Sequence, residues 1–261
     1  MTFPQVLYTE SLKLRRSKAT WGSFAALAIT PLAIALMMWI VREPGRAAQL
    51  GLLGTKANLA GLDATWPSYF SMLNLAIGIG GLLLLSFIAA YVFGREYSEG
   101  TAKNMLALPV GRHWFVLAKL VVAAVWWFLL VATVFVEAIL VGAALRLPEY
   151  SPGLLAESVR NIFTVACIAY LLVPVVAWIA ALGRGYMPPL AFTMIMLALG
   201  NLFSKTGWAS WFPWSIVPLL IGMVGQPVRD LPPGSYAVAA FTFAAGVTAT
   251  ILQVTFSDNC Q

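Results

Sequence analysis

The sequence predicts an all-α polytopic membrane protein with six transmembrane helices, and three observations support this class. Of the 261 residues, 61% are hydrophobic and only 10% are charged, whereas soluble globular domains contain about 45–50% apolar and about 25% charged residues. Apolar runs long enough to cross a bilayer recur along nearly the whole chain. Basic residues gather at the ends of these runs, so topology and anionic lipid explain the net charge of +6 without a nucleic-acid partner.

Residues 1–19 predict an amphipathic helix that lies on the cytoplasmic membrane surface. On a helix, Phe3, Leu7 and Leu14 fall on one side and the basic residues fall largely on another. The basic residues of this segment are Lys13, Arg15, Arg16 and Lys18. The first span is predicted from Trp21 to Val41, which exceeds the apolar region of about 7–15 residues in a cleaved signal peptide.

The other five spans are predicted from apolar runs that polar residues separate. These runs are Ser68 to Phe93, Trp114 to Leu145, Ile162 to Leu182, Met187 to Phe203 and Ala237 to Phe256. The third run exceeds one bilayer crossing, so we expect its first turns at the interface, with Lys119 snorkelling to the membrane surface. Pro174 predicts a kink in the fourth span.

Residues 208–224 form an apolar segment that is short and contains Pro213 and Pro218. Broken helix at membrane depth is tolerated only where other protein buries it. We therefore predict a re-entrant or interfacial pair of half-helices on the outer side, rather than a seventh span. The basic residues before the first span predict that both termini are cytoplasmic, because the first helix usually sets the orientation. The whole chain, 1–261, then forms a single transmembrane domain.

The polar segment 94–113 separates the second and third spans. It combines acidic residues, a glycine–threonine pair, basic residues and Pro109. We predict a short helix across the end of the bundle, with Thr101 as its N-cap and its end near Leu108. The alternative is an ordinary charged loop that satisfies the positive-inside rule.

The string FGREYSEGTAKNMLALPVGRHWFVLAKLVV resembles the segment after the second span in the ABC type-2 permease family. Members of that family show an acid with an aromatic residue, a Gly-Thr, a Pro-Val with a basic residue, and a lysine that opens the third span. The string TESLKLRRSKATW resembles the family's N-terminal segment. Within the family, the chain looks most like small permeases of the bacitracin-export and lantibiotic-immunity kind.

This resemblance implies that two copies of the chain pair with two copies of a separate ABC ATPase. The surface helix and segment 94–113 would then couple the two kinds of subunit, and we expect Glu96 and Arg112 to bond to the ATPase. The positions that match the family pattern are Glu96, Tyr97, Gly100, Thr101, Pro109 and Arg112. The resemblance also implies a location in the bacterial cytoplasmic membrane.

The chain itself is not expected to be an enzyme or to bind a cofactor. The string nearest to a phosphate-binding loop, Gly200 to Thr206, has Ser204 where the motif G-x-x-x-x-G-K-[ST] requires a second glycine. ATP and Mg²⁺ are therefore expected on the partner subunit. The only histidine, His113, cannot build a zinc site by itself.

Glu137 is the one carboxylate predicted to lie within a span. Ionisable residues inside the membrane are candidates for substrate or proton handling. The alternatives are a structural ion pair with Arg146 or Arg160, or a protonated acid bonded to a neighbouring helix.

The function expected from these features is the permease subunit of an ABC exporter. Its expected substrate is an amphipathic molecule, such as a peptide antibiotic or a lipid-like compound, because few charges interrupt the spans. The expected partners are the ATPase, a second copy of the chain and membrane lipids. Two other classes stay open: a gradient-driven transporter or channel that uses Glu137, and a ligand-sequestering immunity or sensor subunit that does not transport.

Overall fold

The computed structural model describes residues 2–51, 63–101, 111–222 and 231–256, and most of these residues are helical. The α-helices are α1 Phe3–Arg15, α2 Lys18–Arg42, α3 Pro44–Gln49, α4 Trp66–Ala76, α5 Leu82–Ser98, α6 Arg112–Ala144, α7 Pro152–Leu171, α8 Val173–Leu182, α9 Met187–Phe203, α10 Pro213–Leu220 and α11 Pro233–Phe256. A π-helical turn at Ile77–Gly81 joins α4 to α5, and a 3-10 turn at Ala209–Trp211 precedes α10.

Five helical stretches are long and apolar enough to cross a membrane. They are α2, α4 with α5, α6, α7 with α8, and α11. The prediction of an all-helical polytopic membrane protein is confirmed at this level. Helix α9 is also apolar, but with 17 residues it is shorter than these five stretches. Its bounds equal those of the predicted fifth run.

The first two helices are separate because the chain turns at Arg16 and Ser17. The backbone N–H of Thr2 donates to the Gln5 side chain at the start of α1. The Ser17 hydroxyl accepts from the Ala19 backbone N–H over 3.1 Å, which caps the start of α2. Helix α1 is therefore followed directly by the long apolar helix α2, with only a short turn between them.

The fourth predicted span divides into α7 and α8 at Leu172, two residues before Pro174. Proline lacks the backbone N–H that would continue the helical ladder, so the break lies where the sequence predicts a kink. The start differs, because α7 begins at Pro152 rather than at the predicted Ile162. The Ser151 hydroxyl accepts from the Leu154 N–H over 3.1 Å and provides the N-cap.

Small residues let helices approach closely in the core of the bundle. A Cβ atom at Gly246 of α11 would lie 2.7 Å from the Val175 nitrogen of α8. Thr250, one turn later, donates its hydroxyl to the Pro174 carbonyl over 3.1 Å. Helix α11 is thus attached to α8 at Pro174 by a close backbone approach and by one interhelical hydrogen bond.

The described part of segment 208–224 contains the 3-10 turn and α10, whereas residues 223–224 lie outside the described residues. Helix α10 has eight residues, so it is about 12 Å long and cannot cross a bilayer core of about 30 Å. Ile216 and Val217 on α10 are buried among other helices. This burial meets the condition under which broken helix is tolerated at membrane depth.

Candidate functional site

Four charged side chains meet where α1 lies against the end of α5 and the start of α6. We call Glu10, Lys13, Glu96 and Lys119 the ion cluster. The Lys119 Nζ atom lies 3.2 Å from Glu10 Oε2 and 3.1 Å from Glu96 Oε1, and it donates to the Val92 carbonyl over 2.7 Å. Lys13 Nζ lies 2.7 Å from Glu10 Oε1 and 3.0 Å from Glu96 Oε1.

Three members of the ion cluster are almost fully buried. Glu10 is 5% exposed, Glu96 is 6% exposed and Lys119 is 4% exposed, whereas Lys13 lies at the rim. Buried charges are tolerated when they are paired and hydrogen-bonded. The Lys119 ammonium has three protons and three acceptors, and two carboxylates balance two amines. The ion cluster therefore connects three helices through one satisfied network.

Apolar contacts support the ion cluster on the same face of α1. Val6 packs against Phe115 and Ala118 of α6, and the Phe3 and Trp114 rings lie 5.0 Å apart. Helix α1 is therefore docked on the start of α6 by both apolar and ionic contacts.

The pKa values of Glu10 and Lys13 show that charge pairing outweighs burial. Burial alone raises the pKa of Glu10, but the charges of Lys119 and Lys13 bring that pKa below its ordinary value. Burial alone lowers the pKa of Lys13, but Glu10 and Glu96 bring that pKa above its ordinary value. Both groups are therefore held in their charged forms.

Helix α1 is expected to undock in acid, because Glu10 has a lower pKa in the folded state than its ordinary value of 4.5. The stabilisation from Glu10 is complete above that value and is lost as the pH falls through the folded pKa. Hydrogen exchange of the α1 amides, corrected for intrinsic rates, should show this loss in wild type. Glu10→Gln should lack the acid-dependent step, whereas the control Glu43→Gln should keep it. An unchanged step in Glu10→Gln would assign the transition to another group.

The structure places Glu96 inside the chain rather than on an exposed surface. Its carboxylate bonds to Lys13 and Lys119, so the expected direct bond from Glu96 to an ATPase is not available in this conformation. Arg112 is half-buried and donates through Nη1 to the carbonyls of Val254 and Thr255, over 3.2 and 2.8 Å. These are the last carbonyls of α11, which a basic side chain can stabilise.

Gly100 and Thr101 end helix α5. Gly100 has a φ of 68°, and its N–H donates to the Tyr97 carbonyl, while the Thr101 N–H donates to the Glu96 carbonyl over 2.9 Å. This pair of bonds is the Schellman arrangement that closes a helix with a left-handed glycine. Tyr97 is half-buried against the core. Pro109 and most of the predicted helix from Thr101 to Leu108 lie outside the described residues.

Two members of the ion cluster were not predicted as site residues. The expectation that Lys119 snorkels to the membrane interface is wrong, because the side chain is 4% exposed and its amine donates to three acceptors inside the protein. Glu10 was not singled out, although Val6, Glu10 and Lys13 follow the i, i+4, i+7 spacing of one helical face. That spacing was the available signal, because it places an acidic and a basic side chain on the same helical face as an apolar residue.

The other basic residues of the surface segment differ from Lys13. Arg15, Arg16 and Lys18 are exposed, and within the described ranges they form no ion pair. Their charges are therefore available to an anionic surface.

Glu137 is half-exposed on α6. It makes no ion pair or hydrogen bond with another residue in the described part of the chain. The alternative of a structural ion pair with Arg146 or Arg160 is therefore not realised in this structure.

Comparison with known proteins agrees with the resemblance found in the sequence. The family model described as "ABC-2 family transporter protein" matches residues 6–200, which include all four residues of the ion cluster. The Bacitracin transport permease protein BCRB of Bacillus licheniformis is 29% identical to this chain over 202 residues. That alignment covers 77% of this chain and 96% of the relative. Since the family model spans more than half of the 261 residues, the chain belongs to the ABC-2 family of transporter proteins.

Proposed function

We propose that this chain is the permease subunit of an ABC exporter, which uses the ATP hydrolysis of a separate subunit. The observation that carries the proposal is the ion cluster. It fastens the surface helix α1 to the two helix ends, on α5 and α6, from which segment 94–113 emerges. An external protein that pushes on this segment acts on a rigid unit of three helices rather than on a loose loop.

The proposed assembly contains two copies of this chain and two copies of the ATPase. We place both termini in the cytoplasm of a bacterium and count α9 as a sixth span beside the five longer stretches. Helix α9 would be about 26 Å long, slightly less than a typical bilayer core of about 30 Å. A reporter enzyme fused after Gln261 tests this topology, because an uneven number of spans would place it outside.

The proposed mechanism begins when the ATPase subunits close on ATP. They displace segment 94–113 together with α1, and the ion cluster makes α5 and α6 follow. The resulting rocking of the helices opens a path between the two copies of the chain. The outer segment with α10 closes that path from the other side.

The proposed substrate is amphipathic, and a peptide antibiotic of the bacitracin type is the first candidate. The relative from Bacillus licheniformis is named for bacitracin transport. Few charged side chains interrupt the spans of this chain, which favours a substrate that enters from the membrane. Transport by the purified complex in liposomes, with labelled bacitracin and ATP inside or outside, tests both the substrate and the direction.

The experiment that tests the partner is a gentle purification of the tagged chain from its native membranes. We expect an ABC ATPase to co-purify in a stoichiometric amount and the preparation to hydrolyse ATP. A pure single-component preparation without hydrolysis would contradict the proposal.

Glu137 supports a second candidate function, a gradient-driven transporter or channel. The observation in its favour is that Glu137 has no charged partner among the described residues, so its carboxyl group is available to a proton or a cation. The test uses liposomes that contain this chain without an ATPase. Transport whose rate depends on pH or on membrane potential would identify this function.

A further inference from the structure

An open groove lies between the surface helix α1 and the spans α2 and α6. Its volume is about 580 Å³, which is within the range of about 300–1,000 Å³ that is common for ligand pockets. Most of the wall is apolar, and the lining includes Leu7, Leu14, Phe24, Val125, Trp126 and Leu129. Val125 and Leu129 are each more than half exposed, so no other described part of this chain covers them.

Polar groups line the groove beside the turn between α1 and α2. They include Ser11, Arg15 and Thr20. The Arg15 guanidinium is exposed and forms no ion pair in the described part of the chain, and Arg16 and Lys18 follow it directly. The groove therefore combines a long apolar wall with an uncompensated positive charge.

We propose that this groove binds an anionic phospholipid of the cytoplasmic leaflet. One acyl chain lies along the apolar wall formed by α2 and α6, and the phosphate meets the Arg15 guanidinium. The charge favours this occupant, because an anionic phosphate supplies the counter-charge that Arg15 lacks among the described residues. A zwitterionic lipid would supply a phosphate but would add its own cation beside three unpaired basic residues.

A lipid in this position would hold α1 on the face next to the one that carries the ion cluster. The ion cluster attaches α1 to α5 and α6, while the lipid would connect α1 to α2 across the break at Arg16 and Ser17. Anionic lipid would therefore support the coupling element itself. This inference rests on the part of the proposed function that places α1 at the cytoplasmic membrane surface.

Photo-crosslinking in nanodiscs tests the acyl-chain part of the site. The probes are phosphatidylglycerol and phosphatidylcholine that carry the same diazirine-labelled acyl chain, and peptide mass spectrometry locates the adducts. Val125 and Val136 are both 56% exposed on α6, but only Val125 lines the groove. We expect Val125→Trp to reduce groove adducts to the background on the rest of α6, and Val136→Trp to leave them unchanged.

The charge part of the site is tested with a second pair of variants. Arg15→Gln and Arg16→Gln remove the same charge from neighbouring positions, but only Arg15 lines the groove. We expect Arg15→Gln to lower the preference for phosphatidylglycerol by about fivefold, as for one basic residue near an anionic surface. We expect Arg16→Gln to lower this preference less.

Three results would overturn the proposal. They are equal adduct yields for the two lipids in wild type, equal effects of the two valine variants, and adducts that join two copies of the chain through the groove. The last result would assign the groove to an interface between copies. Co-purification of the ATPase is measured separately, so failure of the lipid site is distinguishable from failure of the proposed function.

Discussion

Replacing Lys119 with methionine is expected to destabilise the protein by about 3–5 kcal/mol, the typical cost of removing one partner from a buried ion pair. Methionine preserves much of the volume but removes all three bonds of the ammonium. Glu10 and Glu96 would then share Lys13 as their only described basic partner. The midpoint of thermal unfolding in detergent, followed by tryptophan fluorescence, measures the effect.

Two further variants show whether this cost comes from unpaired buried charge. In Lys119→Met combined with Glu96→Gln, one carboxylate and one amine remain, so we expect part of the stability to return. The control is Arg46→Gln in the exposed pair of Arg46 and Glu43, where a change within about 0.5 kcal/mol is expected. A Lys119→Met variant as stable as this control would contradict the structural role of the ion cluster.

Replacing Glu96 with glutamine is expected to uncouple ATP hydrolysis from transport without preventing insertion. Glutamine keeps the shape of the side chain, but it removes the charge that both Lys13 and Lys119 contact. We expect substrate moved per ATP hydrolysed to fall by about tenfold, which is within the usual size of a coupling between two sites. The measurement uses the permease and its ATPase partner together in liposomes.

Glu99, which directly follows the end of α5, provides a matched control three residues beyond Glu96. Its exposed carboxylate bonds only to Arg95 among the described residues, over 2.8 Å. We expect Glu99→Gln to transport like wild type. If both variants retain normal transport per ATP, the ion cluster has no part in coupling. If Glu96→Gln and Glu99→Gln lower the substrate moved per ATP equally, the loss comes from the net charge of this region rather than from the buried network.

Hydropathy predicted the helical class and most of the spans because the length of an apolar run directly reports a membrane crossing. Both bounds of α9 agree with the prediction. Helix α7 was predicted too short, because Glu157 and Arg160 interrupt the apolar pattern near its start. A helical cap at Ser151 can begin a helix before its apolar part begins, and hydropathy alone does not detect this.

The ion cluster was harder to predict because its members are far apart in the sequence. Glu10 and Lys119 are 109 positions apart, and only the packing of α1 on α6 brings them together. From a single sequence, the simplest expectation for a charged side chain is that it is exposed to water. Glu96 was identified through its family pattern, but the pattern contained no information about whether its partner is another subunit or the same chain.

Arg112 gives the segment between α5 and α6 a second point of attachment. The segment leaves α5 beside Glu96, which is bonded to the first helix of the chain, and it ends at Arg112, which is bonded to the last helix. A helix near the N-terminus and a helix near the C-terminus are thus bonded to residues on either side of this segment. Under the proposed function, a load on the segment would be shared between these two helices at the same moment, so neither would need a separate signal.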